Sequence, residues 1–365
     1  MLIVQCGYAF YFFSRILFIP RQTAILPQNE RKQVSIIICA KNEAHNLKKN
    51  LPAILSQRYM NDAGKPLYEV IVVNDGSTDD TMAVLQQLEL QYDNLWDIVI
   101  PQGAARNMPG KKYALSKGLE YAGSEWLLLT DADCKPVSDN WLEKMMQPLA
   151  SGNQIVAGYG GYNKTSGLLN SFIRWETVHT FLQYSTYAFA GKPYMAVGRN
   201  IACTKEAILK AQNAEVWKAL PSGDDDLLVN IAGNADNVAV VSDRKAFTYS
   251  DAKGSVQEWV KQKQRHLSTG KYYNSVTQYL LGGYALSHAF MWLSFFVLLF
   301  NSHWQIAIFA MALRCVLYWS LWAVAANRLN EIKLSILFPF FDIAWMIYNF
   351  AFSPYILWKN KQQWK

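Results

Sequence analysis

Residues 126–134 read WLLLTDADC, an apolar run of strand length that ends in two carboxylates one residue apart. In an extended backbone alternate side chains share a face, so Asp131 and Asp133 point the same way. Such a pair can hold a hard divalent cation through oxygen and leave coordination positions open for a diphosphate. A polar turn after a core strand would look similar, because Asp-rich turns commonly follow strands. The sequence on either side decides between the two.

Upstream, strand-like and helix-like segments alternate. Residues 34–39 (VSIIIC) form a continuous apolar run, followed by Asn42 and Glu43 and then a helical pattern over 46–57. Residues 69–74 (EVIVVN) repeat the strand, and Asp75, Gly76, Ser77, Thr78 and Asp79 turn into a helix reaching about residue 92. Gly76 permits the turn, and Ser77 or Thr78 is expected to cap the helix. A third strand is predicted over 95–100, a third helix over 111–121, and residues 126–130 lead into the carboxylate pair. Unbroken apolar strands alternating with helices predict a mostly parallel sheet, in an α/β fold with helices on both faces. In such sheets ligands collect beyond the carboxyl ends of the strands. Asn42, Glu43, Asp75, Asp131 and Asp133 all fall there, which favours a binding site over simple solvation.

The composition divides the chain. It is 51% hydrophobic and 14% aromatic over 365 residues, but the excess is concentrated near the end. Blocks at about 279–300, 304–325 and 334–358 each approach the ~20 residues needed to cross a hydrocarbon core, with Tyr279, Trp304 and Trp358 at their edges as interfacial aromatics. Residues 1–20 are apolar around Arg15 and are expected to be an uncleaved membrane segment, either a short span or an interfacial anchor. The expected organisation is a membrane segment at 1–20, a catalytic domain at 31–270, three membrane helices at 279–358 and a basic tail at 359–365. The net charge of +7 is read as facing lipid headgroups. No basic helix or aromatic-basic repeat suggests nucleic acid. Five scattered cysteines without a CxxC pair indicate neither a disulfide framework nor a zinc site, which suits a reducing cytosol.

Four stretches, 34–43 (VSIIICAKNE), 70–81 (VIVVNDGSTDDT), 110–118 (GKKYALSKG) and 127–133 (LLLTDAD), occur in order. Together they resemble the signatures of family 2 inverting glycosyltransferases, of the membrane-anchored bacterial type. The resemblance implies a GT-A fold, a nucleotide-diphospho-sugar donor, UDP- or GDP-linked, and a divalent metal, Mn or Mg. It assigns Asp75, with Ala40 and Glu43, to the nucleotide; Lys111 to the nucleotide and its phosphates; and Asp131 and Asp133 to the metal, Asp133 being the more direct ligand. Residues 222–227 (SGDDDL) stand where the family carries its general base. Alignment on Leu227 favours Asp224, a shift of one residue gives Asp225, and Asp226 suits a helix dipole. Gly198 and Asn200, in 195–202 (MAVGRNIA), resemble the stretch that shapes the acceptor side. Gln262, Arg265 and His266 resemble a QxxRW segment in which His266 replaces Trp, and the arginine of that segment assists the diphosphate.

The expected activity is metal-dependent sugar transfer to a membrane-associated lipid or glycan acceptor, in glycan or envelope polysaccharide synthesis. The catalytic domain is expected on the cytoplasmic side of the inner membrane. A processive polysaccharide synthase, or a membrane scaffold or transporter with a nucleotide-binding domain, remains the alternative. A cytosolic domain followed by three spans would put the tail lysines 359, 361 and 365 outside, against the positive-inside rule; the N-terminal segment or the third block could then lie in the interface. Arg314 and Asp342 fall inside apolar blocks, where unpaired charge is costly, and are expected to pair.

Overall fold

The computed structural model describes residues 1–20, 26–267 and 269–357. In chain order the elements are α1 (Leu2–Tyr11), β1 (Val34–Ala40), α2 (Ala44–Leu55), β2 (Tyr68–Asp75), α3 (Thr81–Glu89), β3 (Leu95–Ile100), α4 (Lys111–Tyr121), β4 (Trp126–Asp131), β5 (Lys135–Pro136) and α5 (Trp141–Ala150). Next come β6 (Ile155–Ala157), β7 (Gly160–Tyr162), α6 (Leu168–Phe189), β8 (Ile201–Thr204), α7 (Lys205–Gln212), α8 (Glu215–Ala219), α9 (Asp224–Ala232), β9 (Val238–Val240), β10 (Thr248–Ser250) and α10 (Val256–Leu267). The chain closes with α11 (Ser275–Leu299), α12 (Trp304–Arg328) and α13 (Phe338–Leu357). It divides into two units: residues 20–163 with 195–252, and the described parts of 1–19, 164–194 and 253–360.

In the first unit a seven-stranded sheet runs β3-β2-β1-β4-β8-β6-β9, beside a three-stranded sheet β5-β10-β7. β1 is buried along its whole length between β2 and β4, both parallel to it. A strand covered on both faces and both edges requires the unbroken apolar run that VSIIICA supplies. Register then aligns the strand ends. Cys39 lies opposite Asp131, Ala40 opposite Asn74, and Asp75 opposite Ile100, so the carboxylates emerge on one rim. α4 comes close to the sheet because Gly118 has no side chain; a Cβ there would sit 2.6 Å from Ile37 Cγ2 and 3.2 Å from Val73 Cγ2. The antiparallel pairing of β8 with β4, Ile201 opposite Leu129, brings the turn at 198–200 to the same rim.

The expected cap of α3 is corrected. Asp80 is its N-cap, and the Asp79 carboxylate accepts the N–H groups of Thr81 and Ala44, each at 3.1 Å. Ser77 and Thr78 instead join two loops: the Ser77 hydroxyl accepts the Asn42 N–H at 2.9 Å, and Asn42 Oδ1 accepts the Thr78 N–H at 2.8 Å. Asn42 holds φ 58°, a left-handed conformation that Asn tolerates because its short side chain bonds locally. Gly76, at φ 65°, makes the expected turn.

Among the described residues the second unit contains three helices long and apolar enough to cross a membrane, 275–299, 304–328 and 332–354. Residues 164–194 and the described part of 253–270 group with this unit. The reason is aromatic packing. Trp175 of α6 stacks on Trp322 of α12 at 5.6 Å, and Trp259 of α10 meets Tyr348 and Phe352 of α13 at 5.6 and 5.7 Å. α1 has ten residues, about 15 Å of helix, half of a hydrocarbon core of about 30 Å. It runs on into a 3-10 helix over Phe13–Leu17, so the apolar helical stretch covers Leu2–Leu17.

Arg314 and Asp342 do pair. The guanidinium donates two bonds to the carboxylate, one of them Nη2 to Oδ1 at 3.1 Å. Trp292 Nε1 donates to the same carboxylate at 2.9 Å, and His288 Nε2 lies 3.2 Å from it. Gln5 of α1 accepts from Arg314 Nε at 3.4 Å, while its amide donates to Ser287 Oγ at 2.7 Å. The tail at 359–365 lies outside the described residues.

Candidate active site

The rim of the larger sheet collects most of the expected residues in one unit. Asp75, at the end of β2, is fully buried, and both its oxygens are taken by Arg106 at 2.5 and 2.9 Å. Arg106 comes from the loop after β3, where sequence reasoning found nothing; a basic residue shortly after a strand end was the only available signal. The pair holds Asp75 in one orientation by a bidentate, charge-assisted contact. Ala40 closes β1 with its side chain buried, so only its backbone can meet a ligand. Glu43 is the N-cap of α2; its N–H donates to Thr81 Oγ1 at 3.0 Å and its carboxylate accepts from Asn46 at 2.5 Å.

Lys111 stands at the start of α4 between two acids. Its ammonium contacts Asp131 directly and lies 3.7 Å from Asp224 Oδ2. Burial opposes its charge, but the two carboxylates outweigh that and hold its pKa well above the usual lysine value. One cation therefore links the end of β4 to the start of α9.

Asp131, Asp133 and Cys134 offer ligand atoms that all lie within 4.8 Å of one another. The Cys134 thiol is fully buried, and burial together with Asp133 and Asp131 pushes its pKa well up, so it remains a thiol and donates to Asp133 Oδ1 at 3.4 Å. Two carboxylates on one half-exposed edge, with no competing thiolate, suit a hard divalent cation that keeps open positions. The residues present fit the metal that the sequence implies.

The acidic triplet opens α9 after Gly223, which holds φ 79°. Asp225 accepts the Gly198 N–H at 2.6 Å and the Asp226 N–H at 3.0 Å. Burial, followed by the neighbouring charge of Asp224, raises its pKa to about 6 against those two bonds and Lys111. Asp226 is buried in the first turn of α9.

Asn200 is corrected. Its side chain has no exposure: Oδ1 accepts from Trp141 Nε1 at 3.0 Å, and Nδ2 donates to the carbonyls of Tyr159 and Ala246 at 3.0 and 2.8 Å. It fixes the turn rather than touching an acceptor. Its neighbour Arg199, passed over in the sequence, donates to the Gly161 carbonyl at 3.2 Å and lies 4.1 Å from the centre of the Tyr162 ring. Gln262, Arg265 and His266 lie on α10, in the other unit.

Residues 35–206 match Glycosyl transferase family 2. The glycosyltransferase AglE of Haloferax volcanii is 36% identical over 126 residues, 34% of this chain and 38% of that protein. The poly-beta-1,6-N-acetyl-D-glucosamine synthase of Staphylococcus epidermidis is 29% identical over 131 residues, 35% of this chain and 28% of that protein. The chain thus spans well under half of the length of either relative. Among solved structures, a mannosyltransferase from Pyrobaculum calidifontis, in complex with GDP-Man and Mn2+, superposes over 95% of both chains with a TM-score of 0.56 at 17% identity, a likeness of fold. With the strand-end carboxylates, the sheet order and this match in agreement, residues 35–206 are a glycosyl transferase family 2 domain, built on the GT-A fold.

Proposed function

We propose that this protein transfers a hexose, with inversion, from a nucleotide-diphospho-sugar to a lipid or lipid-linked glycan acceptor at the cytoplasmic face of the inner membrane. The observation that carries the reading is Lys111 lodged between Asp131 and Asp224, because it joins a diphosphate-binding edge to the acidic triplet that holds the candidate base. Arg106, the more exposed member of its pair with the buried Asp75, and Glu43 form the nucleoside side, and Lys111 binds the phosphates. Asp131 and Asp133 would hold a divalent ion, which when bound offsets the charge that develops on the departing diphosphate. Bound GDP-Man and Mn2+ in the Pyrobaculum enzyme support donor and metal of these classes.

Inverting transfer is one in-line displacement. The acceptor oxygen forms a bond to the anomeric carbon as the bond to the diphosphate breaks, and the acceptor's proton passes to a carboxylate. Sequence alignment favours Asp224 for that carboxylate. Asp224 lies 3.7 Å from the Lys111 ammonium, whereas Asp225 has a pKa of about 6 and an orientation fixed by Gly198, so we assign the base to Asp225. Gln262, Arg265 and His266 belong to the acceptor and diphosphate side by resemblance. The three apolar helices support a membrane-borne acceptor. Processive synthesis is a second reading, favoured by the likeness to the Staphylococcus synthase.

The test is consumption of a panel of UDP- and GDP-sugars by full-length protein in lipid, with membrane extract as acceptor and with or without Mn2+ or Mg2+. Metal-dependent release of one nucleotide is expected. Nucleotide binding without consumption of any donor would overturn the enzyme reading.

A further inference from the structure

Lys111 has a neighbour for which the reaction gives no role. Lys112 is 1% exposed, on the first turn of α4, where the helix dipole disfavours a cation. A buried ammonium in that place requires compensation. It comes from the segment that leads to the acidic triplet: Lys112 Nζ donates to the Trp217 carbonyl in α8 at 2.9 Å and lies 4.8 Å from the centre of the Trp217 indole. Burial lowers its pKa to about 8, against the charges of Asp224, Asp225 and Asp226. The residue before Lys111 grips the same segment through its backbone. Gly110 holds φ 65°, and a Cβ there would stand 2.5 Å from the Pro221 carbonyl oxygen. Three consecutive residues, Gly110, Lys111 and Lys112, thus reach Pro221, Asp224 and Trp217.

We propose that Lys112 is a positioning residue that holds the segment 217–226 against the start of α4, so that the candidate base keeps its place relative to Lys111 and Asp131. The proposal rests on the transfer reading for its kinetic consequence and on geometry for its structural one. In the transfer reading Lys111 binds the phosphates, whereas Lys112 works through the Trp217 carbonyl and through its charge. The charged groups that bear on Asp225 are Asp224 and Lys111, and Lys112 bears on all three acids of the triplet.

The variant to make is Lys112→Met in the full-length protein in lipid nanodiscs, beside Lys112→Arg. Hydrogen–deuterium exchange should quicken over 215–226 and stay as in the wild type over 34–40 and 126–131. kcat should fall by about 10²-fold, the cost of a displaced catalytic group, with UDP or GDP affinity unchanged. The acid limb of the kcat profile should move upward, because a cation that favours ionised Asp225 has gone. Lys112→Arg should restore the limb. Unchanged exchange over 215–226, or exchange raised evenly through the sheet, overturns the proposal. So does a loss of kcat with the limb unmoved. If Lys112→Met does not fold, the same readouts on Lys112→Gln, which removes the charge and keeps a donor for the Trp217 carbonyl, decide it: a limb moved upward supports the proposal and an unmoved limb overturns it. If the wild type transfers no sugar, the exchange experiment still decides the clamp, and only the enzyme reading fails.

Discussion

The rim of the catalytic sheet and the polar cluster of the membrane-helix unit use the same residue types to opposite ends. In the cluster each charge has its counter-ion. Arg314 and Asp342 are both buried and joined twice, and Arg174 of α6 is matched in the same way to Glu331. At the rim one lysine serves two carboxylates, three acids stand in a row, and Asp131 remains about one-third exposed. Low-dielectric surroundings make an unmatched charge expensive, so the cluster is closed. The partly exposed edge at Asp131 leaves room for a metal and a diphosphate in the proposed reaction. The difference is one of burial: the cluster's charges are closed off from water, whereas the rim keeps an open edge at Asp131.

The comparison breaks if the rim proves structural. Asp133→Ala should lower transfer by on the order of 10³-fold, the scale of losing a metal's electrophilic help, with the thermal midpoint little changed; retained turnover in a nucleotide-release assay would remove the metal assignment. The cluster should behave the other way. Arg314→Ala or Asp342→Ala should cost about 3–5 kcal/mol of stability by stranding a buried charge, and the double exchange to Met should recover most of it. Unfolding in detergent followed by circular dichroism measures both, and two neutral single variants would end the idea that the pair holds the helices.

Asp225→Asn sharpens the assignment within the rim. The rate should fall about 10²-fold or more, and its acid limb should vanish. In the wild type that limb runs downward as pH drops through about 6, because the base must be ionised to accept a proton and Asp225 titrates there. Asp224→Asn should keep the limb; if it removes it, the base is Asp224. Arg106→Ala should weaken nucleotide binding by about tenfold, the worth of one charge-assisted contact, measured by calorimetry. The smallest effect belongs to an exposed pair, Lys49 with Asp251: Lys49→Ala should change stability by less than about 1 kcal/mol.

The strand–helix alternation, and with it the rim, is legible in the sequence because apolar runs, turn residues and strand-end carboxylates are local signals with fixed periods. β3 and α4 occupy the predicted spans of 95–100 and 111–121. The apolar blocks are legible by length alone. What sequence could not supply were relations between residues far apart in the chain: Arg106 against Asp75, Lys112 against Trp217, and Gly198 against Asp225. α6 was missed for the same reason, since its core partners are aromatic residues of helices more than a hundred positions away. Sequence alone determined which chemical groups arrive at the strand ends, because alternation and register follow from the backbone. Only the tertiary structure decided which of those groups is neutralised, which is oriented and which is left to act, because burial and charge pairing depend on neighbours that the chain brings in from elsewhere.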